Sequence, residues 1–272
     1  MSNNLETLLT PVVTPSKVNA AAIGGRPKVL TIDIETSPME AWVYNSYNVK
    51  FISPEQIKTP ARMLSFAAKW HDQRKIIYYS EFHDGRKAML DAIWDLMDQA
   101  NVIVTYNGNG FDLKWLAGEF VREGYTPPSP YKSVDLYRTV RTLYGFTHNR
   151  LGVVCRALGL GGKVETGGFD LWARCLGGDE KAWRLERKYN QQDVVLTELL
   201  LDRLGPWVKG WPHMGLWSGD ERCCFRCGGT DLAHKGWHET AVSRYARLQC
   251  QECGAWNRAT FIRTRTATRP IA

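Results

Sequence analysis

Runs of apolar residues with two different spacings divide residues 28–205 into strands and helices. Short runs rich in branched and aromatic side chains predict strands, and these runs lie within 29–38, 62–70, 75–82, 101–107 and the start of 131–145. Apolar residues at helical spacing predict helices in the rest of 131–145 and at 86–100, 111–123, 150–160 and 179–205. Strands come first and then alternate with helices. This order indicates an α/β body with a mixed central sheet, in which the first three strands form a meander with a short turn around Asp72.

The remaining segments divide the chain into four parts. We predict a loose leader at 1–27, a folded domain at 28–205, a linker at 206–220 and a small module at 221–272. Within the domain, 39–61 is irregular and 163–179 is a glycine-rich loop, while the linker is rich in Trp, Pro and Gly, so we expect its tryptophans to pack on another surface. No secretory signal is evident, and no run approaches the ~20 apolar residues of a membrane span.

The cysteines concentrate in the last fifth of the chain. Two CxxCG motifs are separated by 22 residues, and their cysteines are Cys224, Cys227, Cys250 and Cys253. Four thiolates at this spacing predict a tetrahedral Zn²⁺ site, and the sequence between them resembles a zinc ribbon. Cys223 could replace Cys224, and His234 and His238 offer other ligands, but the glycine after each motif and four cysteines favour the first set. A closed shell of four thiolates makes this zinc structural.

Positive charge is also concentrated there. The formal charge is +7, and residues 221–272 contribute nine Lys and Arg against four Asp and Glu, a net +5. Arg244, Arg247 and Arg258 alternate with aromatic residues, a pattern that favours contact with nucleic acid. The alternatives are a clip for stability or a module that docks a protein. Cys155 and Cys175 lack partners and are expected to be buried thiols, so the cysteine usage favours a reducing, cytoplasmic setting.

Carboxylates from three parts of the domain suggest a second metal site. Asp33 and Glu35 project from one face of the first strand, because side chains alternate along a strand. Asp112 begins a predicted helix, and Asp193 shares a helix face with Tyr189, four residues earlier. Acids at the end of a strand could simply face water. Four converging carboxylates, however, would suit two Mg²⁺ or Mn²⁺ ions about 3.5–4 Å apart, as in phosphoryl transfer.

The order and wording of these segments resemble a known family. "DIET", "NGNGFD" and "YNQQD" are similar to the three exonuclease motifs of the DEDD superfamily, and the last motif is similar to that of its tyrosine subclass. This resemblance covers roughly residues 28–205, and it extends to the proofreading domains of family B DNA polymerases and to stand-alone phage exonucleases. It implies a ribonuclease H-like fold, with a mixed sheet flanked by helices, and 3′→5′ exonuclease activity.

The resemblance also implies a role for each matching residue. Asp33 would bridge two ions, Glu35 and Asp193 would bind the tighter one, and Asp112 would act on the second, through water. Tyr189 would orient the attacking water, because a phenol with a pKa near ~10 is a donor at neutral pH. Two residues of the second motif fall on the substrate side: the Asn107 amide would contact the terminal nucleotide, and the Phe111 ring would pack against it or belong to the core.

The sequence therefore predicts a metal-dependent enzyme that removes nucleotides from the 3′ end of DNA, with the zinc ribbon aiding capture. Within the same class, the alternative is a nuclease that acts on RNA or on a particular nucleic-acid structure. Outside it, the alternative is a non-catalytic adaptor that binds nucleic acid through the ribbon. A separate polymerase or a replication or recombination protein is a candidate partner. No membrane partner is expected, and the predicted setting is the cytoplasm of a bacterial or phage-infected cell.

Overall fold

The computed structural model describes residues 25–45, 47, 49–71 and 73–268. The strands are β1 (Val29–Thr36), β2 (Glu40–Ala41), β3 (Ile57–Thr59), β4 (Met63–Trp70), β5 (Ile76–Ser80), β6 (Val102–Thr105), β7 (Lys132–Asp135), β8 (Leu232–Glu239), β9 (Ser243–Cys250), β10 (Trp256–Arg258) and β11 (Thr264–Arg265). The α-helices are α1 (Glu81–Asp84), α2 (Arg86–Gln99), α3 (Asp112–Arg122), α4 (Leu136–Leu143), α5 (Leu151–Ala157), α6 (Phe169–Leu176), α7 (Glu180–Leu204) and α8 (Gly215–Ser218). Single 3₁₀ turns span Pro54–Gln56 and Gly205–Trp207.

The main sheet has five strands in the order β5-β4-β1-β6-β7. β1 pairs antiparallel with β4, and β4 with β5, which confirms the predicted meander. β1 pairs parallel with β6, and β6 with β7, and helix α3 makes the crossover between β6 and β7. The sheet is therefore mixed, as predicted. Asp72, where we predicted the turn between the second and third strands, lies outside the described residues.

The two faces of β1 belong to different layers. Leu30, Ile32 and Ile34 pack with the apolar side chains of α2 and α3 in one core cluster. Val29 lies in a second cluster with the apolar residues of α4, α5 and α7. Burying one large aliphatic side chain stabilises the fold by about 1.5–3 kcal/mol, so both layers hold β1 firmly. Alternation then places Asp33 on the same face as Val29, towards α7.

Helix α7 carries the third predicted motif, and its ends follow from the sequence. The Asp179 side chain accepts hydrogen bonds from the backbone N–H groups of Lys181 (2.8 Å) and Ala182 (3.3 Å), which caps the first turn. Within the helix, Leu196 and Leu200 are fully buried. Leu199 is 39% exposed because it lies at the edge of the buried face.

Three segments are more ordered than the sequence predicts. The predicted loop 163–179 contains α6, whose Leu171 and Cys175 pack with Trp183 of α7. The helix has only two turns between glycine pairs, too few for a clear apolar period. The irregular segment 39–61 contains the small β2–β3 pair. The linker contains α8, and its Trp211 is buried as expected, whereas Trp207 is 62% exposed.

The C-terminal module forms a separate four-stranded sheet centred on β9. It is anchored to the end of α7. Arg226 donates a hydrogen bond from Nε to the Gly205 carbonyl (3.0 Å), and its guanidinium lies 4.1 Å above the Trp211 ring. Phe225 packs against the cluster that contains α7. Among the residues that the structure describes, no helix combines the length and apolar character needed to cross a bilayer.

Candidate active site and cysteine centre

Three of the four predicted carboxylates meet where α7 crosses β1. Asp33, Glu35 and Asp193 each offer an oxygen, and these oxygens lie within 4.8 Å of one another. Asp33 and Glu35 are half-buried on β1, and Asp193 is buried on α7. The strand period of two and the helix contact with β1 thus bring together acids that are about 160 positions apart in the chain. Oxygen donors this close are suited to divalent cations.

Electrostatics make this cluster unfavourable in the absence of positive charge. Burial is the main cause that raises the pKa of Asp33 well above its ordinary value, and the neighbouring carboxylates, Asp112 first among them, raise it further. The pKa of Glu35 is also raised well above normal, first by burial and then by Glu186. The Lys163 ammonium opposes both shifts. A cation between the carboxylates would relieve the same repulsion.

Asp112 lies beside the cluster but is not one of the three. It is buried at the start of α3, and its Oδ1 accepts a hydrogen bond from the Ile34 backbone N–H (3.0 Å), between the two acids of β1. Burial raises the pKa of Asp112 to about 6, and this hydrogen bond opposes the shift. One oxygen is therefore used to hold the strand. A role on the second ion, through water, stays a prediction for Asp112.

Tyr189 and Lys163 complete the α7 side of the site. Lys163 Nζ donates a hydrogen bond to the Tyr189 hydroxyl (3.0 Å), forms an ion pair with Asp193, and lies 4.9 Å from the centre of the Tyr189 ring. Burial, followed by the charges of Asp193 and Glu35, raises the pKa of Tyr189 to about 12. The phenol therefore remains protonated at neutral pH and can donate a hydrogen bond.

The sequence analysis did not identify Lys163 as a site residue. It begins the segment that we predicted as a glycine-rich loop, where no period relates it to Asp193. The glycine at position 152 is related to the placement of Lys163, because a Cβ there would lie 2.9 Å from Lys163 Cγ. The glycine leaves room for the lysine stem, but that pairing is visible only in three dimensions.

Asn190 is a second residue that sequence reasoning missed. It is fully buried, and its Nδ2 donates to Asp33 Oδ2 (2.7 Å) and to the Asp33 carbonyl (3.2 Å). Its own Oδ1 is buried and has no hydrogen-bond partner among the residues that the structure describes. It lies three residues before Asp193, so helical period alone places it on the same face. Asn190 fixes the orientation of the Asp33 carboxylate.

Glu186 is a further buried acid of α7. An acid on a helix usually faces water, yet this side chain is fully buried. Its carboxylate accepts hydrogen bonds from the Ser65 and Tyr78 hydroxyls, and burial raises its pKa. Because Ser65 pairs with Glu35 across the sheet, Glu186 forms a further layer of negative charge behind the cluster.

The two predicted substrate residues, Asn107 and Phe111, differ in their position relative to the carboxylates. Asn107 lines a cavity of about 540 Å³, together with Asp33, Asp193, Tyr106, Tyr137 and Arg150. Its backbone is left-handed (φ 69°), and its N–H donates to Asp135 Oδ1 (2.8 Å). Asp135 also caps α4 through the Tyr137 N–H (3.0 Å). Phe111 is 38% exposed at the start of α3, with its ring 6.0 Å from that of Trp115, and so is not a core residue.

The four predicted cysteines form a second cluster. Their sulfur atoms lie within 4.8 Å of one another, and the Cys224–Cys253 and Cys227–Cys250 pairs are each 3.7 Å apart. Zn–S bonds of about 2.3 Å in a tetrahedron give S···S separations of about 3.8 Å, so the cage fits Zn²⁺. Gly228 and Gly254, which end the two motifs, are left-handed (φ 80° and 78°), a conformation that favours glycine.

The alternative zinc ligands that we weighed lie outside this cluster. Cys223 is buried nearby, and neither His234 nor His238 belongs to the group. The Arg226 N–H donates to Cys224 Sγ (3.4 Å), and the Gly229 N–H to Cys227 Sγ (3.3 Å). Backbone donors of this kind stabilise thiolates. The arrangement is consistent with a zinc ribbon.

The three predicted arginines of the ribbon have different contacts. Arg247 lies 5.1 Å from the Trp256 ring, and Arg258 lies 4.2 Å from the Tyr245 ring. Arg244 instead forms an exposed ion pair with Glu239 (3.1 Å). The sequence analysis treated the three as equivalent, but their surroundings are not.

Comparisons with known proteins agree with this fold. The model of the RNase H superfamily matches residues 31–205. A search of curated proteins gave no match. The solved structure of the family B DNA polymerase from the hyperthermophilic archaeon Pyrobaculum calidifontis is similar, with 18% sequence identity and a TM-score of 0.51. The alignment covers 80% of this chain but 32% of the polymerase chain, so the likeness shows the fold alone. Because the family model matches well over half of the sequence, the chain belongs to the RNase H superfamily.

Proposed function

We propose that this chain is a metal-dependent nuclease that removes nucleotides from the 3′ ends of DNA. Membership in the RNase H superfamily supports a nuclease-type function. The observation that carries the proposal is the convergence of Asp33, Glu35 and Asp193 beside the protonated phenol of Tyr189. The 3′→5′ direction and the tyrosine subclass rest on the resemblance of the three motifs.

The carboxylate cluster fits divalent cations by its donor chemistry. Three oxygens lie within 4.8 Å of one another, and burial, followed by the neighbouring carboxylates, raises the pKa values of Asp33 and Glu35. These two residues and Asp193 would hold Mg²⁺ or Mn²⁺, and Asp112 would assist through water. When bound, two such ions activate a water and neutralise charge on the departing oxygen.

The protein's own groups orient the reactants around this cluster. Tyr189 would donate its hydroxyl proton in a hydrogen bond to the attacking water, because its pKa of about 12 keeps it protonated. Lys163 holds that hydroxyl in place and neutralises Asp193. Asn190 holds the orientation of the Asp33 carboxylate, one of the groups that would bind the cations, through the 2.7 Å hydrogen bond.

The substrate side is the cavity next to Asp33 and Asp193. Its lining supplies the amide of Asn107, the rings of Tyr106 and Tyr137, and the guanidinium of Arg150. An amide and two phenols suit a terminal nucleotide, and an arginine suits its phosphate. Phe111 lies outside the lining residues, so its half-exposed ring would contact the substrate only from the rim.

The ribbon is proposed to hold one structural Zn²⁺ and to contact nucleic acid through Arg247 and Arg258, whereas the ion pair with Glu239 removes Arg244 from that set. The domain bounds at 28–205, 206–220 and 221–272 stay predictions, as do a cytoplasmic setting and a partner such as a separate polymerase.

The test is a time course on single-stranded DNA labelled at the 5′ or the 3′ end, with Mg²⁺, with Mn²⁺ and without either. We expect the 5′ label to appear on a ladder of shortening products and the 3′ label to be released at once as a mononucleotide. Parallel RNA and duplex substrates test the alternatives within the enzyme class. Release of the 5′ label first would overturn the polarity, and binding without metal-dependent turnover would support the adaptor.

A further inference from the structure

The sheet of the ribbon has two faces that differ in charge. β9 pairs with β8 along one edge and with β10 and β11 along the other, and side chains at paired positions project to the same side. We call one side the arginine face. From β9 it includes Tyr245, Arg247 and Gln249. From the neighbouring strands it includes residues paired with alternate positions of β9, namely His238, Trp256, Arg258 and Arg265. Arg244 and its partner Glu239 lie on the opposite face.

Positive charge is uncompensated on the arginine face alone. Its paired positions carry three arginines and no acid. On the opposite face, the Glu239 carboxylate neutralises Arg244 at 3.1 Å. Three of the nine Lys and Arg residues of 221–272 therefore lie together on one side of the sheet, at positions with no paired acid.

The arginines of this face are held against aromatic rings. The Arg258 guanidinium lies 4.2 Å from the Tyr245 ring, and that of Arg247 lies 5.1 Å from the Trp256 ring. Trp256 is still 50% exposed, and both arginines are exposed. Preordered guanidinium planes with free N–H donors bind phosphates at low entropic cost, and exposed rings stack on unpaired bases.

We propose that the arginine face binds single-stranded nucleic acid, with Arg247 and Arg258 on successive phosphates and Trp256 against a base. The inference deepens the proposed function, because the strand bound here would be the one whose end enters the carboxylate site. The anchoring of Arg226 at Gly205 fixes the ribbon to the end of α7. Asp193 lies twelve residues earlier, which is about 18 Å along the helix.

The experiment measures binding of full-length protein to a labelled strand of about 20 nucleotides, with the Asp33→Asn background to prevent cleavage. Arg247→Ser and Arg258→Ser are compared with Arg244→Ser, the matched control on the opposite face. We expect each of the first two to weaken binding about tenfold and to lower the salt slope by about 0.7, and the control to change binding less than about twofold. DNA and RNA strands are run side by side, and zinc content verifies that each variant folds.

Equal losses in all three variants, or no loss in any, would overturn the proposal and leave a stability clip or a protein-docking module. The outcome is independent of the nuclease assay. If Arg247→Ser weakens binding but the unaltered protein shows no turnover, the proposed nuclease activity is refuted and the binding role of the arginine face stands. If the protein shows turnover but Arg247→Ser does not change binding, the binding role is refuted and the nuclease activity stands.

Discussion

The carboxylate site and the cysteine site relate to the fold in opposite ways. Asp33 and Asp193 are held by a five-stranded sheet with two large apolar layers, so the protein assembles the site and bears its charge repulsion. The ribbon has a minimal core, with Cys224, Cys250 and Ala255 as its buried members. There the metal would supply the cohesion that apolar burial cannot. The five-stranded domain folds through its apolar core and thereby creates a cation site, whereas the ribbon would need its bound cation in order to fold.

Removing one cysteine of the proposed zinc site should have the largest effect, which is a loss of stability of the ribbon. Cys224→Ser is expected to unfold the ribbon while the nuclease body stays folded, because structural zinc contributes about 10–16 kcal/mol to such modules. Hydrogen exchange would rise across β8–β10 and remain slow in β1 and β4. Cys223→Ser is the matched control, since the neighbouring thiol lies outside the cluster. Retained protection of the ribbon in Cys224→Ser would contradict the comparison.

Breaking the carboxylate site should abolish chemistry but spare the fold. For Asp193→Asn we expect a loss of activity of at least about 10³-fold, roughly 4 kcal/mol of transition-state stabilisation. The melting temperature should change little, because the sheet core does not depend on the cluster. Asp202→Asn, on the exposed end of the same helix, is the control. An Asp193→Asn variant that keeps full activity would refute the site.

A smaller effect is expected from the residue that orients Asp33. Asn190→Ala removes the 2.7 Å hydrogen bond, so the concentration of Mn²⁺ needed for half-maximal activity should rise about 10–100-fold. The maximal rate at saturating metal should fall less. Gln191→Ala, its less buried neighbour, serves for comparison. A lower maximal rate with an unchanged metal requirement would exclude a positioning role.

The smallest effect concerns the pH dependence of the nuclease body. The hydrogen bond to Glu198 is the main cause that raises the pKa of His71, with Asp202 adding to the shift and Arg226 opposing it. Since the folded pKa exceeds the unfolded value near ~6.5, the stabilisation is present below that pH and is lost as the pH rises through the folded pKa. His71 is partly exposed, so we expect His71→Asn to lower the melting temperature at pH 5.5 by about 2 °C or less. At pH 8.5 the variant should match the unaltered protein, and the reverse order would contradict the assignment.

The sequence predicted the parts of the molecule that depend on local period. Alternation placed Asp33 and Glu35 on one strand face, helical spacing placed Tyr189 with Asp193, and the cysteine spacing indicated the cage. It could not predict contacts between distant segments that have no period of their own. Lys163 reaches Asp193 from a loop, and Glu186 is buried although an acid on a helix is usually at the surface. The two faces of the ribbon depend on a strand register that is irregular between His234 and Trp237.

The contact between the C-terminal module and the end of α7 at Gly205 limits where the chain can be truncated. Val208 and Trp211, which follow the last helical turn, are members of the α7 core cluster, and Phe225 packs on the same cluster. A chain truncated after residue 205 would lose these packed side chains and expose the apolar surface of the α7 core cluster to water. A methyl group at position 205 would lie 3.1 Å from the Arg226 guanidinium, so alanine there would require that side chain to shift by a few tenths of an ångström. Anyone who wishes to express the catalytic half alone should therefore keep the polypeptide through at least Trp211.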